Sequence, residues 1–127
     1  MSKKILIIED EDDISELIRI NLEAAGFGVD IAADGETGLK KTISGLPDAV
    51  ILDIRLPGMD GWEVCRRLKA DAVTRGIPIV FLSASTSRDN EKKSMEMGAA
   101  AFVTKPFDPS AFIRTVERVL GAKKSAS

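Results

Sequence analysis

The sequence predicts a doubly wound α/β sandwich with a five-stranded parallel sheet, and three observations carry that prediction. Short apolar runs alternate five times with longer segments that are apolar on one side only. The runs lack a period of two, the pattern of strands covered on both faces. The segments between them are helix-length, and a crossover of that length returns the chain in the same direction, so the strands run parallel. The 127 residues suit one domain, with no internal linker, repeat or low-complexity stretch.

Lys4 to Ile8 reads as the first strand and ends in acid. Asp13 as N-cap with Glu16 three residues on reads as a capping box. Ile14, Leu17, Ile18, Leu22 and Ala25 follow at helical spacing, and Gly26 closes that helix. Gly28 to Ala32 is the second strand. Asp34 caps a helix through about Ser44 that carries Leu39 and Ile43 on one face, and Pro47 breaks it. Ala49 to Leu52 is the third strand, ended by Asp53. After the turn-rich stretch Pro57 to Gly61, Asp60 and Glu63 form another capping box, opening a helix to about Ala72. Ile77 to Ser83 is the fourth strand, followed by a polar helix from about Arg88 to Met97. Ala100 to Thr104 is the fifth strand. Asp108 caps a last helix with Pro109 at its first position; Ile113, Val116 and Leu120 form its inner face and Gly121 ends it. The domain is thus expected over 1–121, with a disordered tail over 122–127.

Composition excludes several chemistries. There is no histidine, which removes Ser-His-Asp and Cys-His nucleophile systems, imidazole metal sites and a phosphohistidine of the chain's own. One cysteine, Cys65, allows no internal disulfide and fits a reducing, cytoplasmic setting. No apolar run approaches the roughly 18 residues of a membrane helix, and the stretch after Met1 to Lys4 stops at Glu9, too soon for a signal peptide. With 18 Lys and Arg against 20 Asp and Glu, the slightly acidic balance argues against nonspecific nucleic-acid binding.

In a doubly wound sheet, ligands bind beyond the carboxyl ends of the strands. Those ends carry Glu9-Asp10-Glu11, Asp53, Ser83-Ala84 and Thr104-Lys105-Pro106-Phe107. Asp10 and Asp53 on neighbouring strands lie close enough to repel by roughly a few kcal/mol, so one carboxyl protonates or a cation sits between them. Hard oxygen ligands favour Mg²⁺, Mn²⁺ or Ca²⁺. Lys105 supplies a compact positive charge for a phosphoryl group and Ser83 a hydroxyl donor. An aspartate beside a cation and a lysine is a reasonable nucleophile toward phosphorus.

Four separated stretches resemble, in their order, the receiver domains of bacterial two-component response regulators, the CheY-like family. They are Ile5 to Glu11, Leu52 to Gly61, Leu82-Ser83-Ala84, and Gly98-Ala99 through Lys105-Pro106-Phe107. The resemblance covers Lys3 to Gly121. It implies a flavodoxin-like strand order 2-1-3-4-5, for which the family is itself a standard illustration. It implies Asp53 as phosphoacceptor, Asp10 as direct Mg²⁺ ligand with Glu9 acting through water, and the backbone carbonyl of Arg55 on the same ion. Lys105 pairs with the phosphoryl group, Ser83 closes onto it, Phe102 is the switch aromatic, and the bond to Pro106 is cis. The implied partners are a sensor histidine kinase or histidine phosphotransfer protein and a downstream protein docked on the face of the fourth helix, fifth strand and fifth helix. Neither nucleic acid nor membrane is among them, and the protein is a monomer or a phosphorylation-dependent dimer.

The chain departs from common family residues at Ser83, where threonine is frequent, and at Phe102, where tyrosine is. Ala100 and Ala101 replace an often acidic pair, and Arg55 lies near the path of attacking water. Glu11, Asp12 and Asp13 read as acids favouring a helix N-terminus. Trp62 and Cys65 read as packing, with Trp62 expected near the ion, and Lys92, Lys93, Lys123 and Lys124 as solvated charges. Ala99 to Ala101 reads as strand filling or a sticky face.

Rival readings fit less well. A haloacid-dehalogenase-type phosphatase wants a second aspartate where Arg55 stands, and an FMN site wants hydroxyls where Glu9 to Asp12 stand. A docking module that is never phosphorylated has no use for the set Asp10, Asp53, Ser83 and Lys105. Whether the chain stands alone or belongs to a longer regulator stays open.

Overall fold

The computed structural model describes residues 2–84 and 88–125, with side chains through 121. Its elements run β1 (Lys4–Ile8), α1 (Asp12–Ala24), β2 (Gly28–Ala32), α2 (Gly35–Gly45), β3 (Ala49–Asp53), α3 (Gly61–Ala70), β4 (Ile79–Ser83), α4 (Arg88–Glu96), β5 (Ala101–Thr104) and α5 (Pro109–Ser125). The strands form one parallel sheet in the order β2-β1-β3-β4-β5. The chain therefore reverses its winding between β1 and β3, the switch point where such sheets bind ligands.

Two apolar layers cover the sheet. On one face Ile5, Ile7, Ile51, Val80 and Leu82 pack with Ile18 and Leu22 of α1 and Phe112 and Val116 of α5. On the other, Leu6, Ile8, Val50, Leu52, Ile79 and Phe81 pack with Val64, Cys65 and Leu68 of α3. Alternate residues of each central strand thus feed opposite layers, and both sets are apolar because both are buried.

Several helix details differ from the sequence expectation. The N-cap of α1 is Glu11, two residues before Asp13, and its side chain makes no capping bond. Leu17 is 43% exposed while Ile18 and Leu22 are fully buried. In α2 the buried face is Gly35, Gly38 and Thr42, and Ile43 points outward. The reason is close approach: a Cβ at Gly38 would lie 2.5 Å from Ile8 Cδ1, so the helix backbone itself packs on the sheet. Phe112 and Val119, with Val116 and Leu120, form the inner face of α5, with Ile113 at its margin. That helix runs past Gly121 to Ser125, since a glycine costs a helix only about 1 kcal/mol and no proline follows. Residues 126–127 of the expected tail, the side chains of Lys123 and Lys124, and residues 85–87 lie outside the described residues. Asp34 and Asp60 do cap their helices, accepting from the N–H groups of Thr37 at 2.8 Å and Glu63 at 2.9 Å. The Glu63 carboxylate does not complete a capping box; it bonds Arg66 and Arg67.

The exposed edge of β2 is blunted locally. The Asp30 carboxylate accepts from the Ile31 N–H, and Lys41 Nζ donates to the Ile31 carbonyl at 2.9 Å. Groups left open there are a template for pairing with another chain.

Candidate functional site

The ladder places the ends of β1, β3, β4 and β5 side by side. Glu9 continues β1 by donating its N–H to the Ala32 carbonyl at 3.0 Å. Asp53 is the last residue of β3 and stands opposite Leu82 of β4. Ser83 ends β4 opposite Thr104, and the next residue, Lys105, donates its N–H to the Ser83 carbonyl at 2.7 Å. The Lys105–Pro106 peptide bond is cis. Beyond it, Phe107 stacks on Phe112 of α5 with ring centroids 4.9 Å apart.

Gly61 seats α3 against this rim. Its N–H donates to the Ile54 carbonyl at 2.8 Å, and a Cβ there would sit 2.2 Å from the Asp53 carbonyl oxygen. Only glycine lets the helix start so close to the backbone of the rim aspartate.

The side chains converge on one ammonium. Lys105 Nζ lies 2.9 Å from Glu9 Oε1, 3.1 Å from Asp53 Oδ2 and 3.5 Å from Glu11 Oε1. Glu9 and Asp53 are buried; Glu11 is exposed. The other oxygen of Glu9 accepts from the Glu11 N–H at 3.1 Å, and the other oxygen of Asp53 accepts from the Arg55 N–H at 3.2 Å. Burial, and then contact with the Asp53 carboxylate, push Glu9 up to about 7, against the pull of Lys105. Burial disfavours the Lys105 ammonium, but its bonds to Glu9 and Asp53 outweigh that and push it up to about 12.

An open cleft of ≈ 420 Å³ covers these groups, lined by Asp10, Glu11, Asp53, Arg55, Ser83, Asn90 and Lys105 among others. Glu9, Asp10 and Asp53 each offer a carboxylate oxygen, all within 4.8 Å of one another. Asp10, Asp53, Ser83 and Lys105, singled out from sequence, therefore share one cleft; Arg55 touches Asp53 through its N–H, and its side chain is exposed. Phe102 lies on β5 opposite Phe81, half-buried against the α3-side layer. Sequence reasoning missed the bonds that Lys105 donates to Glu9 and Glu11 and the place of Asn90 in the lining. Nothing local marks a contact that spans 94 or 96 residues. Trp62 packs 5.0 Å from Phe81, under Lys93 Nζ at 4.5 Å from its ring.

A parallel sheet in this order, carrying an acidic cluster and a lysine at its switch point, is a flavodoxin-like fold with a charged rim where such sheets bind ligands. A family model described as the response regulator receiver domain matches residues 5–117. The chain is 38% identical over 127 residues to the alkaline phosphatase synthesis transcriptional regulatory protein PhoP of Bacillus subtilis, spanning all of this chain and 52% of that protein. It is 42% identical over 108 residues to the response regulator PleD of Caulobacter vibrioides, spanning 85% of this chain and 24% of that one. It is 39% identical over 117 residues to the DNA-binding dual master transcriptional regulator RpaA of Synechocystis, spanning 92% and 48%. A solved response regulator from Chloroflexus aurantiacus superposes with a TM-score of 0.92 at 34% identity, covering 95% of this chain and 99% of that one. The chemotaxis protein CheY4 of Vibrio cholerae superposes at 0.88 with 29% identity, covering 94% and 99%. The chain belongs to the response regulator receiver domain family, the phosphoacceptor modules of two-component signalling.

The chain spans about half the length of PhoP and RpaA and a quarter of PleD. RpaA is named a DNA-binding regulator, so the expectation that nucleic acid is not a partner has no support from the relatives. Among the described residues no helix is long and apolar enough to cross a membrane.

Proposed function

We propose that Asp53 accepts a phosphoryl group from a phosphohistidine on a sensor histidine kinase or phosphotransfer protein, and that the surrounding rim serves that transfer. The observation that supports this most is the Lys105 ammonium, part-buried and 3.1 Å from Asp53 Oδ2 at the mouth of the switch point. The donor set fits a hard divalent cation, since among the described residues three carboxylates and no imidazole or thiol face one point. Asp10, Asp53 and the Arg55 carbonyl would hold Mg²⁺, or Mn²⁺ by the same chemistry, with Glu9 acting through water. When bound, such an ion neutralises the carboxylates and the charge developing on phosphoryl oxygens.

An Asp53 carboxylate oxygen attacks phosphorus in line; the P–N bond of the phosphohistidine breaks and its electron pair stays on the imidazole. Lys105 gives the transferred group a fixed positive partner, and Ser83 donates its hydroxyl to a further oxygen. The product carries about −1.5 to −2 charges at neutral pH. Ser83 and Lys105 follow that charge and Phe102 turns inward. The face built from α4, β5 and α5 then presents a changed surface to a downstream protein. Driving such a switch from 1% to 99% active takes about 5.5 kcal/mol of preference for the active state. Hydrolysis resets it: water attacks phosphorus, and the P–O bond to Asp53 breaks to return the carboxylate. A cytoplasmic setting and a monomer, or a dimer formed on phosphorylation, complete the proposal.

Intact mass after incubation with acetyl phosphate or phosphoramidate, with and without Mg²⁺, tests it. The expected result is a gain of one phosphoryl group that needs the ion and vanishes in Asp53→Asn. Full incorporation in that variant refutes the assignment. No gain combined with no Mg²⁺ binding turns the reading to a docking module that works without phosphorylation.

A further inference from the structure

The sequence assigns Glu11 to favouring a helix N-terminus, and the structure gives its side chain a different partner. Glu11 occupies the N-cap of α1, yet it makes no side-chain capping bond, whereas Asp34 and Asp60 at the same position of α2 and α3 do. Its carboxylate instead crosses the cleft to Lys105, 3.5 Å from Nζ and 94 residues away in the chain. It lines the cleft, and its side chain is 63% exposed, against 0% for Glu9 and 5% for Asp53. Of the three carboxylates on the ammonium, Glu11 is the one at the open side, and the one that can leave without exposing buried charge.

We propose that Glu11 is a positioning residue for phosphoryl uptake: docked on Lys105 in the resting protein, it holds the ammonium among carboxylates and must let go before Lys105 can pair with an incoming phosphoryl group. The proposal rests on Asp53 being the phosphoacceptor. Lys105 has a limited set of donors, and the three carboxylates take up its positions in the resting state. A phosphoryl oxygen bound to Nζ occupies space and charge that Glu11 holds beforehand. An exposed pair of this kind shifts an equilibrium only modestly, so releasing it changes uptake by about twofold to fivefold rather than by orders of magnitude.

Two variants separate docking from charge. Glu11→Gln removes the charge. Glu11→Asp keeps it but is one methylene shorter, and aspartate at an N-cap bonds its own helix N–H groups, which draws it away from Lys105. Both variants are expected to take up phosphate from acetyl phosphate, in Mg²⁺, about twofold to fivefold faster than wild type, with the gain fading at about 1 M salt where exposed pairs are screened. A Glu11→Gln rate equal to or below wild type overturns the proposal. So does a fast Glu11→Gln beside a Glu11→Asp indistinguishable from wild type, because that pattern assigns the effect to charge at the mouth and not to the contact with Lys105. A second readout needs neither metal nor phosphate. Reductive methylation of Lys105 in the metal-free protein, followed by peptide mass, is expected to run about twofold or more faster in Glu11→Gln, and equal rates overturn the docking. If wild type and both variants all fail to take up phosphate and bind no Mg²⁺, the phosphoacceptor reading falls, and the methylation comparison alone decides whether Glu11 covers Lys105.

Discussion

Replacing Lys105 with Met removes the charge at the centre of the rim while keeping most of the side chain's bulk. In the native protein Nζ bonds Glu9 Oε1 at 2.9 Å and Asp53 Oδ2 at 3.1 Å, and the lysine side chain is only 10% exposed. Breaking a buried pair by deleting one partner costs roughly 3–5 kcal/mol, because the remaining charge is left desolvated and unpaired. Here the loss falls near the lower end, about 3 kcal/mol. Burial and Asp53 already hold Glu9 up at about 7, so Glu9 can take a proton and shed its charge. For a domain of this size that corresponds to a fall of roughly 10 °C in Tm. Urea unfolding of metal-free wild type and Lys105→Met, repeated with saturating Mg²⁺, measures it. The metal-free variant is expected to lose about 3 kcal/mol, and Mg²⁺ to restore more stability to the variant than to wild type, because a cation can take the place of the missing ammonium among three clustered carboxylates. A metal-free loss below about 1 kcal/mol would show that the three-way contact does not carry the rim. An equal Mg²⁺ increment in both proteins would show that the carboxylates do not share a cation site with Lys105.

The close approaches differ in kind, and so do their costs. Gly61→Ala forces a Cβ to 2.2 Å from the Asp53 carbonyl oxygen, a backbone atom, and is expected to cost about 3 kcal/mol or more and to weaken Mg²⁺ binding. Gly38→Ala meets the Ile8 side chain at 2.5 Å and recovers up to about 1 kcal/mol of helix propensity, so chemical denaturation should show the smaller loss; the reverse order would refute the packing argument. Cys65 is fully buried and burial pushes its thiol up, so alkylation of the native protein is expected to be at least about a thousandfold slower than that of the unfolded chain. Rapid native labelling would show that α3 opens on its own. Lys93→Gln removes the cation over the Trp62 ring, and a shift in Trp62 emission without a change in Tm of more than about 3 °C is expected; unchanged emission would show that α4 does not rest on the ring.

Much of the rim was legible because strand ends are legible. Apolar runs of four or five residues stop where a carboxylate, hydroxyl or lysine begins, as at Ile8-Glu9, Leu52-Asp53 and Thr104-Lys105. Once the alternation fixes a parallel sheet, those ends share one side of it. The caps at Asp34 and Asp60 were legible for the same local reason, since an N-cap and the N–H it serves are three residues apart. Helix faces were less so. A period of 3.6 marks a stripe on α1 and α2, but Leu17 and Ile43 fall on the solvent side. Which flank faces the sheet depends on how near the helix backbone can come, and that is set by Gly38 against Ile8.

By itself, the sequence determined the class of fold, the residues available at the carboxyl ends of the strands, and the exclusion of histidine chemistry. These follow from local periodicity and from residue types at element ends. Tertiary structure decided how those residues meet: Glu9 buried on Lys105, Glu11 turned from its own helix toward the same ammonium, Trp62 lodged between Phe81 and Lys93. Each of these contacts joins segments far apart in the chain, and each depends on distances of a few ångströms set by the crossover helices and the cores beneath them. A charge pattern along a chain states which groups are present; only the packed sheet states which of them share the Lys105 ammonium.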